Sequence, residues 1–315
     1  MNPEANPYRC KTPVAFLIFG RPETTERVFR EIAKARPPKL LVVADGPRRN
    51  QPGESQRCAE VRKIVERVDW DCELFKDYSD ENMGCKRRVS SGIDWVFASV
   101  EEAIFLEDDC LPHPSFFRFC DEMVERYRED ERIMAISGDN FQFGRKRWDY
   151  SYYFSRYPHV WGWASWRRAW KHYDVNMSRW PMIKKAGWLN DILQNKREVA
   201  YWTEVFDQVS RGEIGTWDYQ WVFACWLQAG FAILPNVNMV SNIGFGGDAT
   251  HTGRRSKVAE MATEEMAFPL THPPILLRDS RADRETAKLF FRWSLLWRTR
   301  MLVMKCLFPE LSRRS

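Results

Sequence analysis

The chain has 315 residues, 44% of them hydrophobic, which is enough for one large buried core, and its eight cysteines (Cys10, Cys58, Cys72, Cys85, Cys110, Cys120, Cys225 and Cys306) include no CxxC pair, against a zinc or thioredoxin-like centre. Its net charge of +5 is a property of the C-terminal end: residues 288–315 hold seven Lys/Arg against one Glu, so the remainder sits near −1 and a nucleic-acid partner is not expected. Residues 1–11 carry no apolar signal region, and no stretch reaches the roughly 20 apolar residues that span a bilayer. A cytoplasmic protein is the expectation.

The first third alternates short apolar runs with helical patterns, which predicts βαβ units and a mainly parallel sheet flanked by helices. Val14-Ala15-Phe16-Leu17-Ile18-Phe19 is a buried-strand run, followed by Gly20-Arg21-Pro22 and a helix over about 23–35. Leu40-Leu41-Val42-Val43-Ala44 is a second strand, ending on Asp45. Cys72-Glu73-Leu74-Phe75 is a third, and a helix over about 85–98 follows the Asn82-Met83-Gly84 turn. Ala103-Ile104-Phe105-Leu106 then runs into Glu107-Asp108-Asp109, and Ile133-Met134-Ala135-Ile136-Ser137 is a fifth strand. From residue 140 to about 235 the pattern is Trp-rich, with helices expected over 166–173, 198–210 and 218–229. The expected organisation is an N-terminal extension (1–12), a catalytic domain (13–280, with a nucleotide-binding half 13–138 and an acceptor half 139–280) and a basic amphipathic C-terminal helix (281–315).

Ligands of open α/β sheets bind beyond the carboxyl ends of strands, where Arg21, Asp45 and the Glu107-Asp108-Asp109 run all fall. Three adjacent carboxylates after an apolar strand are costly to hold without a cation. A divalent ion bound to a diphosphate relieves that cost, and hard oxygen ligands suit Mn²⁺ or Mg²⁺. A solvated acidic turn is the plainer alternative. Gly244 to Gly253 combines glycines, hydroxyls and His251, a loop suited to closing over phosphates or simply to the surface. Asp218 opens a helix and is an N-cap by residue type. The fifteen tryptophans suit either a sugar-stacking cleft or a ring-rich core.

In consistent order from residue 14 to 253, these segments resemble the α-1,3-mannosyl-glycoprotein β-1,2-N-acetylglucosaminyltransferase family, and more broadly inverting glycosyltransferases of the GT-A fold and their bacterial family 2-like relatives. The resemblance implies a GT-A, Rossmann-like nucleotide-diphospho-sugar transferase fold. Its Glu-Asp-Asp motif matches Glu107-Asp108-Asp109, with Asp109 as metal ligand, Asp108 expected at the metal or ribose and Glu107 at the ribose or donor sugar. Its Cys-Asp-Arg segment at the nucleobase resembles Phe19-Gly20-Arg21, and its Asp after the second strand resembles Asp45. Arg88 stands near the position of a donor-side histidine. Its Gly-Leu-Gly-Trp segment and Trp-containing helix resemble the stretch around Trp161, Gly162 and Trp163, which would border the acceptor. Its Trp-Asp pair resembles Trp217, at the donor sugar, and Asp218, the catalytic base. Its last glycine-rich and Ser-His-Gly segments resemble Gly244-Phe245-Gly246 and Thr250-His251, at the diphosphate and metal.

The expected reaction is transfer of a sugar, N-acetylglucosamine by the resemblance, from a UDP-linked donor to a hydroxyl of a glycan, lipid-linked or polysaccharide acceptor. A sugar-1-phosphate nucleotidyltransferase is disfavoured, because Gly20-Arg21-Pro22-Glu23 is too short and too acidic for the nucleotide loop of that class. A non-catalytic carbohydrate-binding or membrane-docking protein has no use for the acidic triplet and Asp218. The apolar side of residues 288–308 suits either a membrane surface or packing onto the domain.

Overall fold

The computed structural model describes residues 8–193, 195–245, 258 and 260–291. β1 (Val14–Ile18) is buried at every position, the signature of a strand covered on both faces. Pro22 stands at the start of α1 (Pro22–Ala35), where its missing N–H costs nothing. The alternation continues through β2 (Lys39–Ala44), α2 (Glu54–Val65), β3 (Glu73–Tyr78), α3 (Cys85–Ser99) and β4 (Glu102–Glu107). Then come β5 (Cys110–Pro112), α4 (Ser115–Arg126), β6 (Ile133–Ser137), β7 (Tyr152–Ser155), β8 (Trp163–Trp166) and α5 (Arg167–Trp170). The remaining elements are α6 (Trp180–Ala186), α7 (Leu189–Leu193), α8 (Lys196–Ser210), α9 (Asp218–Leu227), β9 (Phe231–Pro235), β10 (Val240–Asn242) and α10 (Ser280–Phe290).

The main sheet has the order β3-β2-β1-β4-β8-β6-β9-β7. Pairing senses make β1, β2, β3, β4, β6 and β9 run one way, with β7 and β8 opposed, so the fold is α/β with a mainly parallel sheet. Side chains alternate between the faces as a period of two demands. Val14, Phe16 and Ile18 pack with α1, α2 and α4, whereas Ala15 and Leu17 pack with α3, α5 and α9. A third cluster joins α6 to α9 around Trp180, Trp202, Phe206 and Trp226.

This topology brings the C-terminal ends of β1, β2, β4, β6 and β9 to one edge of the sheet. The antiparallel β8 begins at that edge. Because α9 feeds β9 from the opposite edge, the start of α9 also lies on this side.

Two sequence expectations are corrected, and the open choice for the tryptophans falls to the core. The helix expected over 166–173 is only the single turn of α5, because Trp166 closes strand β8, in which Ala164 and Trp166 face one core and Trp163 the other. Asp218 is the first residue of α9 and does not cap it; Trp217 holds the cap position without a side-chain bond. The tryptophans are largely core, with Trp163, Trp166, Trp180, Trp202 and Trp221 fully buried. The described part of the C-terminal segment packs inward, burying Ala282, Asp283, Thr286 and Ala287 of α10. Of the 288–308 stretch to which the membrane expectation was attached, all beyond residue 291 lies outside the described residues. No described helix is long and apolar enough to cross a membrane.

Candidate active site

The adjacent, parallel strands β1 and β4 set Arg21 against the acidic run. Arg21 lies just before α1, its carbonyl accepting hydrogen bonds from the Thr25 N–H at 3.0 Å and hydroxyl at 2.7 Å. Its Nη1 donates to Asp109 Oδ2 at 2.5 Å and to Asp108 Oδ1 at 3.3 Å. The Phe19 N–H donates to Asp108 Oδ2 at 3.0 Å. The two strand ends are thus locked together by charge-assisted bonds.

Asp218 reaches this edge from the other half of the sequence. The Thr216 hydroxyl donates to its Oδ1, and the Tyr173 hydroxyl donates to the Trp217 carbonyl at 3.1 Å, fixing the approach to α9. Electrostatics ties Asp218 to the acidic run. Burial, then the charges of Asp109, Asp108 and Asp218, push the Glu107 carboxyl up to about 8. Burial and then Asp109 push Asp108 up to about 7 against the pull of Arg21. The Cys85 thiol is pushed up to about 12 by burial, followed by Glu107 and Asp218. Carboxylates that resist ionisation together form a site that a cation would stabilise.

The other predicted residues divide. Asp45 is buried at the end of β2, where its carboxylate accepts from the N–H groups of Gly46 (2.8 Å), Met83 (2.9 Å) and Gly84 (3.0 Å) and from Asn82 Nδ2 (3.0 Å). It pins the loop before α3 to the sheet edge. Arg88, expected at the donor, is buried instead, with Nε donating to the Ala44 carbonyl at 3.1 Å and Nη2 to Asp77 Oδ2 at 2.8 Å. It clasps the ends of β2 and β3, so its donors are spent within the fold.

On the acceptor side, Trp163 is 1% exposed, stacked on Phe105 at 4.6 Å and on Trp217 at 5.7 Å. Trp217 is itself 3% exposed. Neither ring is an open wall; both form the packed floor beneath Asp218. Gly162 has φ +64, and a Cβ there would come within 2.7 Å of Val240, so glycine is required by backbone and space alike. Trp161 is half-buried and meets Phe141 at 5.3 Å and Phe245 at 5.7 Å, which leaves it more accessible than Trp163 and Trp217.

The acidic run fits a divalent cation through Asp109. Gly244 lies so close that an added Cβ would stand 2.2 Å from Asp109 Oδ2, so the bare glycine backbone makes a cradle around that carboxylate. Among the described residues no group of three ligating side chains gathers. A cation here would therefore draw further ligands from a bound diphosphate, as Mg²⁺ and Mn²⁺ commonly do. Thr250 and His251 lie outside the described residues.

Sequence reasoning passed over Thr216 and Cys85, which neighbour the carboxylates. Thr216 stands two residues before Asp218, a spacing that lets a hydroxyl reach the carboxylate; nothing in the pattern around Cys85 pointed to the site.

No family model matches the sequence, and no curated protein matches it. Among solved structures the chain is similar to a mannosyltransferase from Pyrobaculum calidifontis in complex with GDP-Man and Mn²⁺, at 15% identity over 58% of this chain and 49% of that one, TM-score 0.37. The chain thus spans about half the length of that mannosyltransferase. It is also similar to a UDP-glucose pyrophosphorylase complexed with UDP-glucose, at 8% identity over 71% of this chain and 90% of that one, TM-score 0.35. A third is HddC from Yersinia pseudotuberculosis, at 7% identity over 50% and 77%, TM-score 0.30.

Proposed function

We propose that the protein is a metal-dependent, inverting glycosyltransferase of the GT-A type that transfers a sugar from a nucleoside-diphosphate donor to an acceptor hydroxyl. The observation that carries this reading is the gathering of Arg21, Asp108 and Asp109 with Glu107 at the C-terminal edge of a mainly parallel sheet, within electrostatic reach of Asp218. Carboxylates that raise one another's proton affinity at a strand end are suited to a cation. The resemblance to N-acetylglucosaminyltransferases supplies the choice of a UDP-linked donor and of N-acetylglucosamine.

In this reading Asp218 accepts the proton of the acceptor hydroxyl as its oxygen attacks the anomeric carbon. The bond from that carbon to the diphosphate oxygen breaks, and the electron pair leaves with the nucleoside diphosphate. One displacement inverts the configuration. A divalent cation held by Asp109 would supply positive charge to the leaving diphosphate. Arg21 holds Asp109 and Asp108 in place, Asp108 and Glu107 face the ribose or donor sugar, and Trp161 borders the acceptor. Thr216 orients Asp218 through its hydroxyl.

The test is a panel of nucleotide sugars incubated with and without Mn²⁺, following release of the nucleoside diphosphate. Metal-dependent release from one donor, lost in Asp109→Asn, is the expected result. Release of inorganic pyrophosphate from a nucleoside triphosphate and a sugar phosphate would replace this reading with a nucleotidyltransferase.

A further inference from the structure

The connection between β6 and β7 leaves and re-enters the sheet at the same edge as the carboxylates. It carries Phe143-Gly144-Arg145-Lys146-Arg147-Trp148. Phe143 is 48% exposed and Trp148 is 62% exposed, two large rings flanking three consecutive cations. Water alone gives no reason to display such rings, whereas an aromatic ring beside basic side chains suits a bilayer interface.

The loop is held in this shape. Phe143 at φ +52 and Gly144 at φ +76 form a left-handed turn closed by the Arg145 N–H donating to the Gln142 carbonyl at 3.1 Å. A phenylalanine with positive φ is strained and persists only where its surroundings enforce it. The enforcement comes from α10: Gln142 Nε2 donates to the Ala282 carbonyl at 3.2 Å and to Thr286 Oγ1 at 3.1 Å. Arg145 pairs with Glu285 at 2.8 Å and Arg147 with Asp279 at 3.5 Å. Lys146 pairs with no carboxylate among the described residues. Between loop and helix lies a recess of about 140 Å³ bordered by Arg145, Lys146, Arg147 and Arg281, wide enough for a phosphate group.

We propose that this loop docks the protein on an anionic bilayer surface, with Phe143 and Trp148 entering the interface and the basic run meeting lipid phosphates. Charge complementarity selects the occupant. The recess and its rim carry Arg145, Lys146, Arg147 and Arg281 against Asp279 and Glu285, a local excess of positive charge in a chain whose residues before 288 are near neutral. The chain continues past α10 into a segment bearing Arg292, Arg298, Arg300 and Lys305, so the basic character runs on in sequence from the helix that braces the loop. Resting on the glycosyltransferase reading, this orientation would present the sheet edge to acceptors carried by lipids.

The experiment is flotation of the full-length protein with phosphatidylcholine vesicles, with and without phosphatidylglycerol, comparing wild type with Lys146→Glu/Trp148→Ala. These two side chains are chosen because neither braces α10. Wild type should float with the anionic vesicles only, and the variant should lose at least about tenfold in partitioning, since each basic residue near a charged surface is worth roughly a fivefold change. Circular dichroism and thermal unfolding of the variant should match wild type. Equal flotation of wild type and variant would overturn the proposal and transfer attachment to another face. Equal binding to neutral vesicles, or no binding of wild type at all, would overturn it as well. Flotation needs no turnover, so a failed donor assay and a failed docking surface are separate results.

Discussion

The carboxylate-bearing end of β4, with Arg21 from beyond β1, and the tryptophan-rich segment through β8 and α9 meet at one edge of the sheet, yet they resolve their chemistry in opposite ways. The aromatic rings are absorbed: Trp163 lies among Phe105, Trp170, Trp217 and Trp221, and packing covers their apolar surface without any ligand. The carboxylates cannot be absorbed. Arg21 pairs with Asp108 and Asp109, yet burial and the neighbouring carboxylates still push Glu107 and Asp108 toward neutrality. Packing can dispose of surplus apolar surface, but only counter-charge or protons can dispose of surplus negative charge. The acidic side therefore points to a ligand, and the aromatic side to support for it.

The largest expected effect separates catalysis from support. Asp218→Asn should lower sugar transfer by roughly 10²–10⁴-fold, the usual range for loss of a general base. Its cost in stability should stay below about 1 kcal/mol, because asparagine keeps an oxygen for the Thr216 hydroxyl and the helix-dipole term of a first-turn acidic residue is small. Near-normal transfer by this variant would return Asp218 to a structural role, and a product of retained configuration, read by NMR, would remove the single-displacement scheme. Trp163→Ala sits on the other side of the comparison. It should cost about 3–5 kcal/mol in chemical denaturation, as loss of a fully buried ring does. Unchanged stability with a raised acceptor KM would make Trp163 a binding residue and reverse the division drawn above.

Asp109→Asn should abolish the gain in donor affinity produced by Mn²⁺ while leaving the metal-free affinity close to that of wild type, measured by titration calorimetry with and without chelator. Retained Mn²⁺ dependence would assign the cation to other ligands. Arg88→Ala is expected to act through the fold: it strips the Ala44 carbonyl and the part-exposed Asp77 of a partner and should cost about 1–3 kcal/mol, the range for a buried hydrogen-bonding group left unpaired. A loss of donor affinity at unchanged stability would restore Arg88 to the donor site.

Much of the parallel half was legible in the sequence because its signals are local. Unbroken apolar runs marked β1, β2 and β4, and the residues after them fell at a common edge once the strands were parallel. The edge strand β3 runs from Glu73 to Tyr78, past the apolar residues that signalled it, since its outer positions are exposed and polar. The second half was harder. Trp163 to Trp166 is too short to distinguish a strand from a helix turn by composition, and only its pairing with both β4 and β6 settles it as a strand. Arg88 and Asp45 show the limit for site residues: each falls at the correct edge, but whether a polar group faces a ligand or braces a loop depends on partners far off in the chain, Asp77 for one and Met83 and Gly84 for the other.

The smallest and most specific effect is on the pH dependence of the metal-free protein. In the unfolded chain Glu107 ionises near its ordinary value of 4.5, and in the folded chain only near 8. Between those values the folded state retains a proton that the unfolded state has released. Stability must therefore fall as pH rises across that window, and the Asp108 carboxyl, pushed to about 7, adds a decline in the same direction. Below the window both states are protonated and the penalty vanishes; above it the penalty is complete and constant. Urea midpoints in the presence of chelator should accordingly decline from about pH 5 to about pH 8, more steeply in wild type than in Glu107→Gln, which has no proton to lose at that position. The variant should gain on wild type as pH rises. Parallel profiles would mean that Glu107 ionises in the folded protein as it does in water, and the surplus of negative charge on which the contrast between the two regions depends would be gone.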